Sequence, residues 1–160
     1  MPAEVEVREA DFAVEQEYAW LRSAAGGVGA CVLFTGLVRE WVDGAGLQAL
    51  ELEHYPGMAE ASIAAIVAEA RERWQIGAVR VIHRVGRLEP GAQIVLVGVS
   101  SSHRSDAFAA SAFIMDYLKT RAPIWKKEIG ATGARWVESR DSDAQAAARW
   151  RESDTNEETT

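Results

Sequence analysis

Five cations crowd into one short stretch of an acidic chain. Residues 101–128, SSHRSDAFAASAFIMDYLKTRAPIWKKE, carry Arg104, Lys119, Arg121, Lys126 and Lys127 against Asp106, Asp116 and Glu128. The whole 160-residue chain has a formal net charge of −7. His103 adds a group that titrates near neutrality. Cations gathered on one segment of an acidic protein suggest a site for a small anion. Lysines add a second possibility, because burial or a neighbouring cation lowers an amine's pKa readily. Lys119 lies one helical turn beyond Met115, and Lys126 follows seven residues later, past Pro123 and beside Trp125. A turn at Pro123 could fold both amines toward one pocket. There they could polarise a substrate, deprotonate a nucleophile or form a covalent adduct. The bland alternative is a pair of solvated surface lysines.

His103-Arg104 follows the apolar run IVLVGVSS and precedes a helical pattern. Backbone N–H groups and the guanidinium there could cradle a phosphate or carboxylate. A capping turn with a surface arginine is the structural alternative. Arg39 ends an apolar run containing Phe34 and Gly36, and Arg140 follows a short strand pattern around Trp136. Either could reach an anion or be an ordinary strand-end charge. Arg80, Arg84 and Arg87 read as sheet-face and turn residues. His54, His83 and His103 have no zinc-site spacing, and Cys31 is the only cysteine. The chain contains no Walker loop, dinucleotide fingerprint or nucleophile elbow, so no metal or nucleotide cofactor is expected.

The elements that must position these groups follow from periodicity. Strands are expected at 5–8, 30–38, 47–55, 78–85, 94–100 and 134–138. Helices are expected at 13–24, 58–74, 105–119 and 141–150, the third with Phe108, Ala112, Met115 and Leu118 as its apolar stripe. Gly36 marks a bulge or a close backbone approach, and Asp43-Gly44 a turn. Strands and helices are intermixed, with hairpin-like turns between neighbouring strands, which points to an α+β or mixed-sheet domain. One domain is expected over 1–150, with an acidic, disordered tail at 151–160. The acidic balance argues against non-specific nucleic-acid binding. No signal peptide or membrane span is seen, and a single cysteine suits a reducing, cytoplasmic setting.

Five ordered blocks carry a family resemblance: FTGLVRE, LELEHYPGMAE, HRVGRLEPG, SSHRSDAF and FIMDYLKTRAPIWKKE. Together, from about Gly29 to Trp150, they resemble the large, catalytic subunit of molybdopterin synthase. One departure is Ile124, where the family pattern expects phenylalanine. The resemblance implies an α/β hammerhead with a small antiparallel β subdomain. It also implies a central homodimer within a heterotetramer whose ends are small ubiquitin-like sulfur carriers. The carrier's Gly-Gly terminus arrives as a thiocarboxylate, and two sulfurs pass to cyclic pyranopterin monophosphate, giving the molybdopterin dithiolene. Carried over by motif, Lys119 and Lys126 are the catalytic lysines, with Lys119 beside the carrier's terminal carbonyl and Lys126 near the pterin. His103 and Arg104 match the anion-binding pair, Arg39 and Phe34 line the pocket, Met115 lies beside the carrier tail, and Arg140 is lent across the dimer interface. A module that only binds a ubiquitin-like protein or a phosphorylated small molecule, and an independent Schiff-base lysine enzyme, are the competing readings.

Overall fold

A computed structural model describes residues 3–137 and 141–157. Among the described residues, four helices and nine strands follow one another as β1 (Val5–Arg8), α1 (Val14–Arg22), β2 (Ala30–Leu37), β3 (Trp41–Val42), β4 (Ala45–His54), α2 (Met58–Arg73), β5 (Val79–Arg84), β6 (Gly86–Leu88), β7 (Gln93–Ser101), α3 (Arg104–Arg121), β8 (Ile124–Gly130), β9 (Gly133–Val137) and α4 (Asp141–Glu157). One sheet has the order β1-β5-β7-β2; the other runs β3-β4-β8-β9, with β6 added to β4. Only the β1–β5 pair is parallel. The class is α+β, an α/β hammerhead with a second, wholly antiparallel five-stranded sheet.

The first sheet separates two hydrophobic layers, as strand alternation requires. Val79, Val81, Val95, Val97 and Val99 face α2 and α3 in the main core. Ile82 and Leu96 face the other way, with Phe12. Arg80 lies almost wholly buried and is held by Glu6 at 2.8 Å and Glu17 at 2.9 Å, so it is a paired sheet-face residue. Helix α2 buries Ala59, Ile63, Ile66, Val67 and Ala70 at helical spacing, in the helix expected at 58–74.

Helix α3 corrects one expectation. Its buried side chains are Ala107, Ala110, Ser111, Phe113, Ile114, Tyr117 and Leu118, while Phe108 is 63% exposed. The stripe Phe108–Ala112–Met115 lies on its more open side and leads to Lys119. Small alanines let a broad face of α3 pack closely, so spacing alone did not separate the core face from the site face. Helix α4 continues past the expected end at Trp150. It docks through Trp150, which donates to Asp116 at 2.7 Å and meets Trp74 and Phe113 edge-on.

Three strands were not expected: β3, β6 and β8. The first two hold two and three residues, too few for a period to register. Strand β8 hides for another reason. Its inward residues are Ile124, Lys126 and Glu128, opposite His54, Leu52 and Leu50 on β4. Neither face reads as apolar, so the alternation that signals a strand is masked.

Candidate functional site

Strand β8 explains why Lys126 is unusual. Directly opposed residues of an antiparallel pair project to the same side, and Lys126 is opposed by Leu52, which is 2% exposed. The lysine stem therefore enters a largely apolar layer. Burial is the main reason its amine falls from 10.5 to about 8. The neighbouring amine of Lys119 lowers the value further, Asp143 on α4 opposes the shift, and Arg39 adds a smaller lowering. An ammonium has three donors and no lone pair. Only a neutral amine can accept a proton, and with a pKa of about 8 the Lys126 amine is partly neutral near physiological pH.

Local chain geometry brings the pair together. Lys119 sits in the last turn of α3. Ala122 is extended at ψ 129°, and Pro123 stops the helix. The Ile124 N–H donates to the Ala122 carbonyl at 2.8 Å, and Tyr55 N–H to the Pro123 carbonyl at 3.3 Å. That corner turns the chain into β8 within a few residues, as the sequence suggested.

His83 joins the pair from the opposite sheet and was missed as a site residue. It is buried on the face of β5 that also carries Val79 and Val81. Its Nδ1 lies 2.8 Å from the Arg84 carbonyl. A carbonyl only accepts, so Nδ1 carries the proton and Nε2 keeps the lone pair. Burial lowers the imidazole pKa to about 4; the carbonyl bond opposes this, and Lys126, Lys119 and His54 reinforce it. The ring is therefore neutral at physiological pH. The available signal was one histidine inside the otherwise apolar alternation of VRVIHR.

Phe34 and Arg39 approach from β2, an edge strand. Phe34 opposes Val97 and Gly36 opposes Val95, which puts both on the side of the sheet that α3 covers. A Cβ on Gly36 would lie 2.8 Å from Val95 Cγ1 and 3.6 Å from the Phe34 ring. The register shifts immediately after it, so the glycine marks both a close approach and a bulge. Val38 is then pinned by two backbone bonds to residues 91–92, at 2.8 and 2.9 Å. Exposed Arg39 projects beyond that anchor. Met115, partly buried, stands one turn before Lys119.

His103 and Arg104 are elsewhere. Both are exposed at the start of α3, with His103 as its N-cap. Fifteen residues of helix separate Arg104 from Lys119, about 22 Å at 1.5 Å per residue. Within one chain the cations of residues 101–128 thus form two sites, not one. Arg140 lies outside the described residues. Among the described residues no three His, Cys, Asp or Glu side chains are grouped to hold a metal, and no helix is long and apolar enough to cross a membrane.

Residues 7–121 match the family described as MoaE protein. The chain belongs to the MoaE family, that of the molybdopterin synthase catalytic subunit. The molybdopterin synthase catalytic subunit of Salmonella typhimurium is 60% identical over 144 residues, covering 90% of this chain and 95% of that relative. The Escherichia coli subunit is 59% identical over 139 residues, 87% and 92% of the two chains. Among solved structures, the MoaE protein of Burkholderia ambifaria superposes with a TM-score of 0.79 at 48% identity, covering 93% of this chain and 98% of that one. Molybdopterin synthase from Staphylococcus aureus gives 0.79 at 36% identity, covering 86% and 99%. The MoaE fold thus spans nearly all of the elements that hold the lysine pair.

Proposed function

We propose that this MoaE-family chain is the sulfur-transferring subunit of a cytoplasmic molybdopterin synthase. Its partner is a small ubiquitin-like carrier ending in a Gly-Gly thiocarboxylate, and its substrate is cyclic pyranopterin monophosphate. The observation that carries this reading is the Lys119–Lys126 pair: one exposed amine beside one whose pKa is about 8. Replacing substrate oxygens by sulfur and opening a cyclic phosphate needs proton transfer and a counter-charge for developing anions. A coupled amine pair supplies both, one member as ammonium and the other able to hold or release a proton near neutral pH. Phe34 on β2 and Met115 on α3 are assigned to the path by which the extended, side-chain-poor carrier tail reaches Lys119. A related assembly is known: a complex of subunits 1 and 2 of the molybdopterin-converting factor from Helicobacter pylori shares the fold, with a TM-score of 0.71.

The distance along α3 supports a homodimer within the heterotetramer. Arg104 lies about 22 Å along the helix from Lys119 of its own chain, too far for the two side chains to meet on one phosphate. A second copy that brings its His103 and Arg104 beside Lys119, Lys126 and Arg39 gives the substrate phosphate its cations. In this arrangement Arg140 also serves the neighbouring site.

The test combines the purified chain, thiocarboxylated carrier and cyclic pyranopterin monophosphate, and reads the oxidised pterin by fluorescence and mass. Carrier-dependent dithiolene product is expected, and Lys119→Ala abolishes it while the protein stays folded. Carrier binding with no product, while an authentic synthase works in parallel, rejects the enzymatic reading.

A further inference from the structure

The start of α3 is held by a clamp that neither the catalytic reading nor the family match assigns. Helix α2 ends at Arg73, and Gln75 follows its C-cap. The Gln75 N–H donates to Asp106 Oδ2 at 3.2 Å. The Gln75 carbonyl accepts from Ser101 Oγ at 2.7 Å. The same Ser101 oxygen accepts the His103 N–H at 3.2 Å. Residue 75 is thus gripped on both its backbone groups by side chains that bracket His103 and Arg104.

The surroundings make this clamp tight on one side and open on the other. Ser101 is 2% exposed, and the Gly29 N–H donates to its carbonyl at 2.9 Å. A Cβ on Gly29 would lie 2.4 Å from the Ser102 carbonyl oxygen. Next to the clamp is a cavity of about 250 Å³, lined by Gly26, Gly27, Gln75, Ser101 and Ser102 among others. If the clamp is cut, the 101–104 turn has room to relax. The His103 side chain makes no capping bond; Ser101 instead holds the N-cap's own N–H, and Asp106 ties the first turn of α3 to Gln75.

We propose that Ser101 and Asp106 are positioning residues that aim His103 and Arg104 at the substrate anion by clamping Gln75. This rests on the anion-binding role of Arg104 under the proposed function. The charge of Asp106 makes the idea testable by sign. A carboxylate two residues from Arg104 weakens the local positive field, so electrostatics alone predicts tighter anion binding when it is removed. Positioning predicts the reverse when the acceptor goes too.

The experiment measures KM and kcat for cyclic pyranopterin monophosphate in the assembled enzyme with thiocarboxylated carrier, alongside melting temperatures. Asp106→Ala and Ser101→Ala are expected to raise KM about five- to tenfold, the loss of roughly one hydrogen bond's worth of alignment, with kcat changed less than about twofold. Asp106→Asn keeps an acceptor oxygen without the charge and is expected to bring KM back to the wild-type value or below it. Asp106→Ala lowering KM as Asp106→Asn does would overturn the clamp. So would unchanged KM in both Asp106→Ala and Ser101→Ala while Arg104→Ala raises it. Unchanged KM in Arg104→Ala instead removes the anion reading itself, and the clamp's role falls with it. Should Ser101→Ala fail to fold, the Asp106→Ala and Asp106→Asn pair decides alone.

Discussion

The two ends of α3 carry similar charges in opposite environments. At its start, Arg104 stands in water on a turn fixed by backbone and side-chain hydrogen bonds. At its end, Lys119 meets Lys126, whose stem lies against Leu52 in the inner face of the second sheet. The exposed guanidinium is suited to attract and orient an anion. The buried amine has been brought near the pH at which protons move. Charge alone therefore does not distinguish the two clusters; desolvation does.

The sharpest way to break this contrast is to preserve charge while removing the lone pair. Lys126→Arg keeps a cation but cannot be neutral near pH 8. Product formation is expected to fall at least about a hundredfold, as for Lys119→Ala, in the carrier-dependent assay. Near-normal turnover in Lys126→Arg would mean that the lysine end, too, works only as a fixed charge. Stability gives a second large difference. The folded-state pKa of Lys126, about 8, lies below 10.5, so between those values the unfolded chain binds more protons. Wild-type stability should then rise with pH across that window. Lys126→Met removes the buried charge and is expected to add roughly 2 kcal/mol at pH 7, a discounted reading of the pKa difference. The gap to wild type should close toward pH 10.5 in denaturant titrations. A gap independent of pH would show that the lysine pays no burial penalty.

At the other end the expected effects are smaller. Arg104→Lys keeps the charge but loses the planar fork that suits a phosphate. KM for the cyclic pterin should rise about five- to tenfold, with kcat little changed. A fall in kcat equal to that seen for Lys119→Ala would instead put Arg104 in the chemical step.

How far the sequence showed this site depends on which signal each residue carries. The long amphipathic helices and the apolar strands were legible because their periods are clear, and Pro123 announced the corner that joins the lysines. The ordered motifs identified the family and pointed to Lys119 and Lys126. The depth at which Lys126 lies was not legible, because β8 alternates polar and apolar residues on both faces, and burial came only from pairing with β4. His83 was hidden because a single histidine in a hydrophobic strand has no partner in the local sequence; its neighbours arrive from α3, β4 and β8. The separation of Arg104 from Lys119 needs no more than helix arithmetic. What sequence leaves unspecified there is whether a second copy closes the gap.

The finest test asks whether the two ends are electrically independent. Lys119 lowers the Lys126 pKa by its proximity, and Arg39 lowers it as well, but Arg104 is not among the causes. The screening length at physiological salt is about 8 Å, well short of the roughly 22 Å span along the helix. In Lys119→Met, therefore, the Lys126 amine should titrate higher, by up to about one unit, while staying below 10.5 because burial remains. In Arg104→Met it should not move measurably within the monomeric chain. An NMR titration of the lysine side-chain signals, assigned with Lys126→Arg, reads both shifts directly. The sign in Lys119→Met tests the coupled pair. A comparable shift in Arg104→Met that vanished on dilution to the monomer would locate the partner's arginine beside the lysines, making the two ends separate in the chain but joined in the dimer.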